Sequence, residues 1–438
     1  MPQKRLHGKR VLVLGAYGFI GAAVTRALQS EGASVTGMVR DARTGAKVLP
    51  GVTLVEGDLR DFLDPEDWRS RLNNVDAVVN CAGALQDGGV DDLEIVHHKA
   101  IAALGQACAE LGISIVQISA IGAEPDATTD FMRTKAAGDA ALRICGAPVW
   151  ILKPGLVIGQ SDYGGTALLR MLAAIPLVQP IAYPATPVQC VGMADLCGAI
   201  AATVAGELPQ GAYDLVEDAE HPLSDVLAAM RRWLGFPAAR LTVGVPVWTT
   251  RLVASLADFL GNLGWRSPLR STAMTVMADG VTGDPEPYRK AAGASLASMD
   301  EVFSRLTCAR EHRLTARITL LMPLVIAVLS LFWVLSGVLG LTGLSQAKSV
   351  LLDAGWSAPS AAVSVVFWSL VDIALGLALL WRPWAGRVCL LQCAVALFYL
   401  LAATVAAPTL WGDPLGPLVK ILPAMMLSLV AWPMLESR

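Results

Sequence analysis

Ile318–Leu341 contains no Asp, Glu, Lys or Arg. A helix needs about 20 apolar residues to cross the hydrocarbon core of a bilayer, so this stretch constrains the fold more than any other feature. Three comparable segments follow it. Ser360–Trp381 holds one charge, Asp372; Val388–Ala407 holds none; Leu415–Leu435 holds Lys420 near its start. Helices in soluble cores seldom run this long without charge, in tandem. The chain as a whole is 54% hydrophobic and 16% charged, where a soluble domain has about 25% charged residues. The deficit is local. Of the charged residues, 28 Lys+Arg and 33 Asp+Glu precede Arg317, and only 6 and 4 lie from Arg317 onward. The predicted architecture is a soluble α/β domain followed by an all-α, four-helix transmembrane bundle. A formal net charge of -3 gives no global basic field for nucleic acid.

Basic residues predict the orientation. Arg305, Arg310, Arg313 and Arg317 precede the first span, Arg382 and Arg387 lie between the second and third, and Arg438 follows the fourth. The loop after the first span has only Lys348, and Pro408–Pro414 has no Lys or Arg. The positive-inside rule then places both termini in the cytoplasm, in a multi-pass protein of the cell (inner) membrane. Val11–Leu14 is apolar but is cut by Gly15 and Gly18, too short for a signal sequence. The eight cysteines are scattered without C-x-x-C spacing, which predicts reduced thiols and no metal site.

The N-terminal half alternates β-rich runs with helical patterns. Val11–Gly15, Ser34–Val39, Val52–Glu56, Ala77–Asn80, Ser114–Ser119 and Val149–Leu152 read as strands. Ile20–Gly32, His97–Leu111 and Thr134–Ile144 read as helices. This is the pattern of a doubly wound parallel sheet. The first strand runs into Gly15-Ala-Tyr17-Gly18-Phe19-Ile20-Gly21 and then a helix. Gly15 permits the tight turn, Gly18 lets backbone approach a pyrophosphate, and Gly21 lets helix and strand pack closely. The phosphates then sit on the free N–H groups of the helix start. Arg40 ends the second strand, ahead of Asp41 and Arg43. An arginine there suits the 2′-phosphate of NADP, and an acid would suit NAD, so NADP is favoured.

These residues resemble the atypical branch of the short-chain dehydrogenase/reductase superfamily. Asp58-Leu59 matches the pair that contacts adenine, and Asn80-Cys81-Ala82-Gly83 the segment beside the cofactor. Ser119 matches the catalytic serine position. Lys153-Pro154-Gly155 looks like the R-P-G segment that passes the nicotinamide, and Pro187-Val188 with Asp195-Leu196 a later family element. The resemblance spans roughly Gly8 to Phe236 and is nearest to the NADPH-binding accessory subunit of respiratory complex I. It implies a nucleotide site of Gly15, Tyr17, Gly18, Phe19, Ile20, Gly21, Arg40, Asp58, Leu59, Cys81, Ala82, Gly83, Lys135 and Pro154. The catalytic motif departs from the family: Phe131-Met-Arg-Thr-Lys135 stands where Tyr-x-x-x-Lys is expected. Lys135 can still hold the ribose and Ser119 can still donate a hydrogen bond, but Phe131 has no proton to give. Tyr17 and Tyr163 remain as phenols that could substitute. Hydride transfer to a quinone, or simple cofactor sensing, needs no tyrosine.

The last four segments resemble the DoxX-like membrane family through Trp333-Val-Leu-Ser-Gly337, Asp372 with Gly376, and Pro408–Lys420. That resemblance implies a lipid-bilayer setting, with a quinone, a thiol or a membrane protein complex as partner. A lone carboxylate in a span is costly, so Asp372 should face the bundle with Lys420 as its partner. It then acts as a proton or quinone-headgroup contact, as a structural ion pair, or as a protonated carboxyl bonded to backbone. The domains expected are 1–235 (nucleotide), 236–316 (cap or connecting helices) and 317–438 (membrane). Within the second, Pro246–Trp265 is an amphipathic helix, either a cap or a helix lying on the membrane surface.

Overall fold

The computed structural model describes residues 4–84, 92–265, 267, 269–414 and 416–435. Leu415 and Arg438, used above, lie outside the described residues. The chain forms two compact units, one from residues 1–258 with 267–316, the other from 259–266 with 317–437.

The first unit is built on seven parallel strands: β1 (Arg10–Leu14), β2 (Ser34–Val39), β3 (Thr53–Glu56), β4 (Ala77–Asn80), β5 (Ser114–Ile118), β6 (Val149–Pro154) and β7 (Gly211–Leu215). Their spatial order is β7-β6-β5-β4-β1-β2-β3. Alternate residues serve opposite faces, as the two-residue period of a strand requires. Val11 and Val13 pack with Val24, Leu28 and Ile200. Leu12 and Leu14 pack with Trp68, Ile101 and Leu104. Both faces are therefore buried, the condition for a parallel sheet. Strand order reverses between β1 and β4, and such a reversal opens a crevice at the carboxyl ends of the two strands.

Four helices position the site: α1 (Phe19–Ser30) after β1, α2 (Ala42–Val48) after β2, α3 (Ala100–Leu111) before β5 and α4 (Asp130–Arg143) before β6. α4 starts four residues earlier than Thr134, where the sequence pattern placed it. The reason is a cap: the Thr129 hydroxyl accepts from Met132 N–H at 3.3 Å. α3 is preceded by a π turn at Ile95–Lys99. Beyond β6 lie α5 (Gly165–Ala173), α6 (Val247–Asn262) and α7 (Ser271–Asp279). Ser298 and Glu301 form a reciprocal capping box on the last helix before the spans.

The second unit carries four helices long and apolar enough to cross a membrane: α8 (Arg310–Thr342), α9 (Ala358–Ala378), α10 (Arg382–Ala406) and α11 (Pro417–Met434). Small residues set the close approach of α8 to α9. A side chain at Gly337 would fall 2.2 Å from Ser369 O, and one at Gly376 would fall 2.8 Å from Ser330 O. Asp372 is buried, as expected, but Lys420 is not its partner. Tyr399 OH donates to Asp372 Oδ1 at 2.7 Å and Ser336 Oγ donates to Oδ2 at 3.0 Å. Lys420 is exposed on α11 and forms no ion pair with Asp372. Two neutral hydroxyls from flanking helices therefore satisfy the carboxyl. Gln392, also fully buried, accepts from Ser428 Oγ at 2.9 Å.

Candidate functional site

The glycine loop has the geometry that a phosphate cradle demands. Gly15 has φ of 66°, and a side chain there would meet Ala82 backbone at 2.8 Å. Gly18 N–H closes the turn on Gly15 O at 2.9 Å, and a Gly18 side chain would lie 3.1 Å from the same oxygen. One at Gly21 would overlap it at 2.2 Å. Gly18 caps α1, and the first intrahelical bond runs from Ala22 N–H to Gly18 O. The N–H groups of Phe19, Ile20 and Gly21 precede that bond, leaving them for an anion. The cradle fits a dinucleotide pyrophosphate. Tyr17 packs on the core beneath the loop, whereas Tyr163 stacks on Phe19 with centroids 6.5 Å apart.

The carboxyl ends of β2 and β3 hold the charges expected at an adenosine ribose. Arg40 is exposed just past β2. Asp41 is committed as the cap of α2, accepting from Arg43 N–H at 2.8 Å and Thr44 Oγ1 at 2.9 Å. The Thr44 bond, with the backbone bonds, holds the Asp41 carboxyl below the usual carboxylate range. Asp58 accepts from Arg60 Nη2 at 2.8 Å. That bond lowers the Asp58 carboxyl, and the Arg40 charge adds to the effect. Leu59 is buried beside it.

Past β4, Asn80, Cys81, Ala82 and Gly83 border the loop. Asn80 Nδ2 donates to Gln117 Oε1 at 2.7 Å, and Asn80 Oδ1 accepts from Ala82 N–H at 3.0 Å, which fixes the turn. Burial raises the Cys81 thiol above its ordinary value. All eight cysteines are free thiols. Lys135 is buried, and its Nζ donates to Ile118 O at 3.0 Å and Ala82 O at 3.5 Å, joining the ends of β5 and β4. Pro154, buried, ends β6.

Two residues here were missed in the sequence. Ser119 Oγ donates to Asp139 Oδ2 at 2.5 Å. Asp139 is 1% exposed, and its Oδ1 has no hydrogen-bond partner among the described residues. Burial raises the Asp139 carboxyl, against the Ser119 bond and the Lys135 charge. Burial likewise lowers the Lys135 ammonium, against the pull of Asp139. The signal was the four-residue spacing of Lys135 and Asp139, which puts both on one face of α4. The second is His97. Its Nε2 accepts from Ala84 N–H at 3.1 Å and its Nδ1 lies 2.9 Å from Thr134 Oγ1. Burial, then the Lys135 charge, pushes the imidazole down to about 2, so it stays neutral. A side chain at Gly138 would fall 1.9 Å from His97 O, so glycine at this position is what allows the π turn and α4 to approach so closely.

Phe131 stands half-buried at the start of α4, edge-on to His97 with centroids 5.4 Å apart. It lines a cavity of about 340 Å³ with Thr129, Thr275 and the ion pair of Asp258 and Arg270. The position that would carry the phenol therefore opens on a polar chamber.

Residues 15–169 match the family described as NAD(P)H-binding, and residues 330–429 match the DoxX-like family. The 40 kDa subunit of mitochondrial NADH-ubiquinone oxidoreductase from Neurospora crassa is 27% identical over 176 residues, 39% of this chain and 45% of the relative. Ceramide reductase from Caulobacter vibrioides is 23% identical over 173 residues, 38% of this chain and 52% of the relative. The chain thus spans about half the length of the curated relatives it matches. Among solved structures, the Bordetella bronchiseptica enzyme WbmG in complex with NAD aligns with a TM-score of 0.51 at 16% identity, covering 69% of this chain and 94% of that one. WbmH of the same organism, in complex with NAD+, gives 0.51 at 15%, covering 68% and 96%. The solved structures define the fold as a Rossmann-type parallel sheet, and residues 15–169 resemble NAD(P)H-binding domains. A DoxX-like domain with four apolar helices follows it.

Proposed function

We propose that the protein is a membrane-anchored oxidoreductase that uses NADPH to reduce a lipophilic acceptor such as a quinone. The carrying observation is the junction of the glycine cradle with buried Lys135, which ties the ends of β4 and β5 beside it. A reduced nicotinamide, when bound, supplies a hydride. The chain's own part is to hold the ribose through Lys135 and the pyrophosphate through Phe19, Ile20 and Gly21 N–H. Proton supply passes from the missing phenol to Ser119, with Asp139 as the buried group that holds or releases the proton behind it. A quinone also takes its protons from water, so Phe131 is no obstacle to that acceptor. The curated relatives, one an NADH-ubiquinone oxidoreductase subunit and one a ceramide reductase, support a lipophilic partner by their names.

Residues 1–235 form the nucleotide domain, 236–316 the connecting helices and 317–438 the membrane domain in this reading. Arg310, Arg313 and Arg317 at the start of α8, with Arg382 and Arg387 at the start of α10, support a cytoplasmic nucleotide domain. Asp41 is occupied as a helix cap and Arg40 is exposed, which supports NADP over NAD. Arg40→Ala then weakens NADPH roughly tenfold to a hundredfold, the worth of about 1.5–3 kcal/mol for a charged hydrogen bond. NADH affinity stays unchanged. Fluorescence titration with both nucleotides checks this, and equal losses for the two would remove the NADP assignment.

Phe131 also supports a second reading, a non-catalytic NADPH-binding module that senses redox state or stabilises a respiratory-type membrane assembly. It predicts nucleotide binding with no turnover.

A further inference from the structure

A second cavity, of about 210 Å³, lies on the other side of α7 from the polar chamber. Thr272 and Thr275 of α7 line the polar chamber, whereas Met274 and Met277 of the same helix line the second cavity. Its remaining walls are mostly apolar, with Leu168 and Leu172 of α5 and Val253 of α6, broken by Thr249 and Thr250. An apolar cavity of about 150 Å³ already accepts a benzene ring, so this one accommodates a length of hydrocarbon. Methionine walls adapt to chains of varied shape. Tyr183, also in the wall, holds φ of 55°, a strained conformation for a tyrosine and the kind found at binding sites.

The surface beside the cavity is apolar too. On α6, Trp248, Leu252 and Leu256 recur at four-residue spacing and are 69%, 65% and 59% exposed. Thr250, Ala254 and Ala257 take the opposite, buried face. Leu241 and Val243, on the strand Leu241–Gly244 paired to Val178–Ile181, extend the exposed patch. Val253 belongs to both, being 44% exposed and a cavity wall. Soluble surfaces rarely leave such a patch uncovered, and an amphipathic helix of this kind beds into the headgroup–acyl boundary. The same chain carries four apolar spans, so a bilayer is the partner at hand.

We infer that this cavity binds the hydrocarbon tail of a long-chain amphiphile drawn from the bilayer past α6. This inference stands apart from the proposed oxidoreductase reading.

The test is photolabelling of the full chain in nanodiscs with a hexadecanol carrying a diazirine in its chain, followed by peptide mapping. Label concentrates on Leu168–Leu172 and Met274–Met277, and excess unlabelled hexadecanol removes it. Leu172→Trp, which fills the cavity, lowers that labelling at least fivefold. Met277→Phe serves as a second filling variant, and NADPH titration checks that each is folded. Labelling confined to the spans, or untouched by either filling variant, overturns the tail site. Labelling at these peptides without NADPH oxidation keeps the tail site and removes the oxidoreductase reading. Oxidation of NADPH by a tail-less quinone, with no labelling here, does the reverse.

Discussion

Gly21→Ala lowers the affinity of the purified protein for NADPH by roughly fivefold to a hundredfold. Its new methyl group would sit 2.2 Å from Gly15 O and 2.9 Å from Gly15 C, so the turn must open or α1 must move away from β1. Overpacking of this kind costs about 1–3 kcal/mol, and about 1.4 kcal/mol is a factor of ten in affinity. The cost falls on the loop that presents the phosphate-facing N–H groups, so binding suffers beyond global stability. Gly112→Ala is the control. Gly112 also has a left-handed backbone, φ 67°, but a methyl group there meets nothing within 4 Å. It lies at the end of α3, away from the loop, so that variant loses some thermal stability and keeps its NADPH affinity. Nucleotide fluorescence and thermal unfolding of both variants in detergent separate the two effects. Equal NADPH affinity in Gly21→Ala and the wild type would mean that the loop is not the phosphate site.

Lys135→Met has the second large effect, and its size depends on pH. Removing the ammonium leaves Ala82 O and Ile118 O without their donor, at about 1–3 kcal/mol, and takes away the contact expected for the ribose. It also removes the positive charge that favours ionised Asp139. Asp139 is an acid whose folded pKa lies above its unfolded value. Its contribution is therefore intact below the unfolded pKa and is lost as pH rises through the folded pKa. Without Lys135 the folded value rises further, so the loss grows. Relative to wild type, Lys135→Met unfolds at progressively lower temperature as pH rises above the ordinary carboxylate range, and recovers in acid. NADPH affinity falls about tenfold at neutral pH. A difference in melting temperature that does not vary with pH would show that Lys135 and Asp139 are not coupled.

Much of this architecture was legible because it rests on short-range physics. Ser34–Val39 and Ala77–Asn80 were read to the residue, since strands buried on both faces show as β-branched apolar runs between turns. The glycine loop was legible because a side chain at Gly15 or Gly21 would run into backbone, and one at Gly18 would crowd it. The spans were legible from length and charge alone. What was not legible depends on partners far apart in the chain. Asp139 reads as an ordinary helix residue until Ser119 is placed against it by the register of β5 and α4. His97 is distinguished from His98 only by burial. The Asp372 partner was misassigned because opposite charge outweighs hydroxyls on paper, whereas helix rotation brought Tyr399 and Ser336 to it and left Lys420 exposed. The start of α4 lies ahead of the apolar periodicity because the Thr129 cap sets it. The short two-stranded pairs, such as Val178–Ile181 with Leu241–Gly244, have too few residues to show a period. With them went any sign of the apolar cavity, whose walls come from α5, α6 and α7.

The most direct test of the account is NADPH oxidation by the purified full chain in detergent, followed at the nicotinamide absorbance with decylubiquinone and menadione as acceptors. Acceptor-dependent oxidation is expected, faster with NADPH than with NADH and, in Gly21→Ala, half-maximal only at correspondingly higher NADPH. Saturable NADPH binding with no oxidation by any acceptor would contradict it, and would leave a nucleotide-binding membrane module in which Phe131 marks the loss of chemistry.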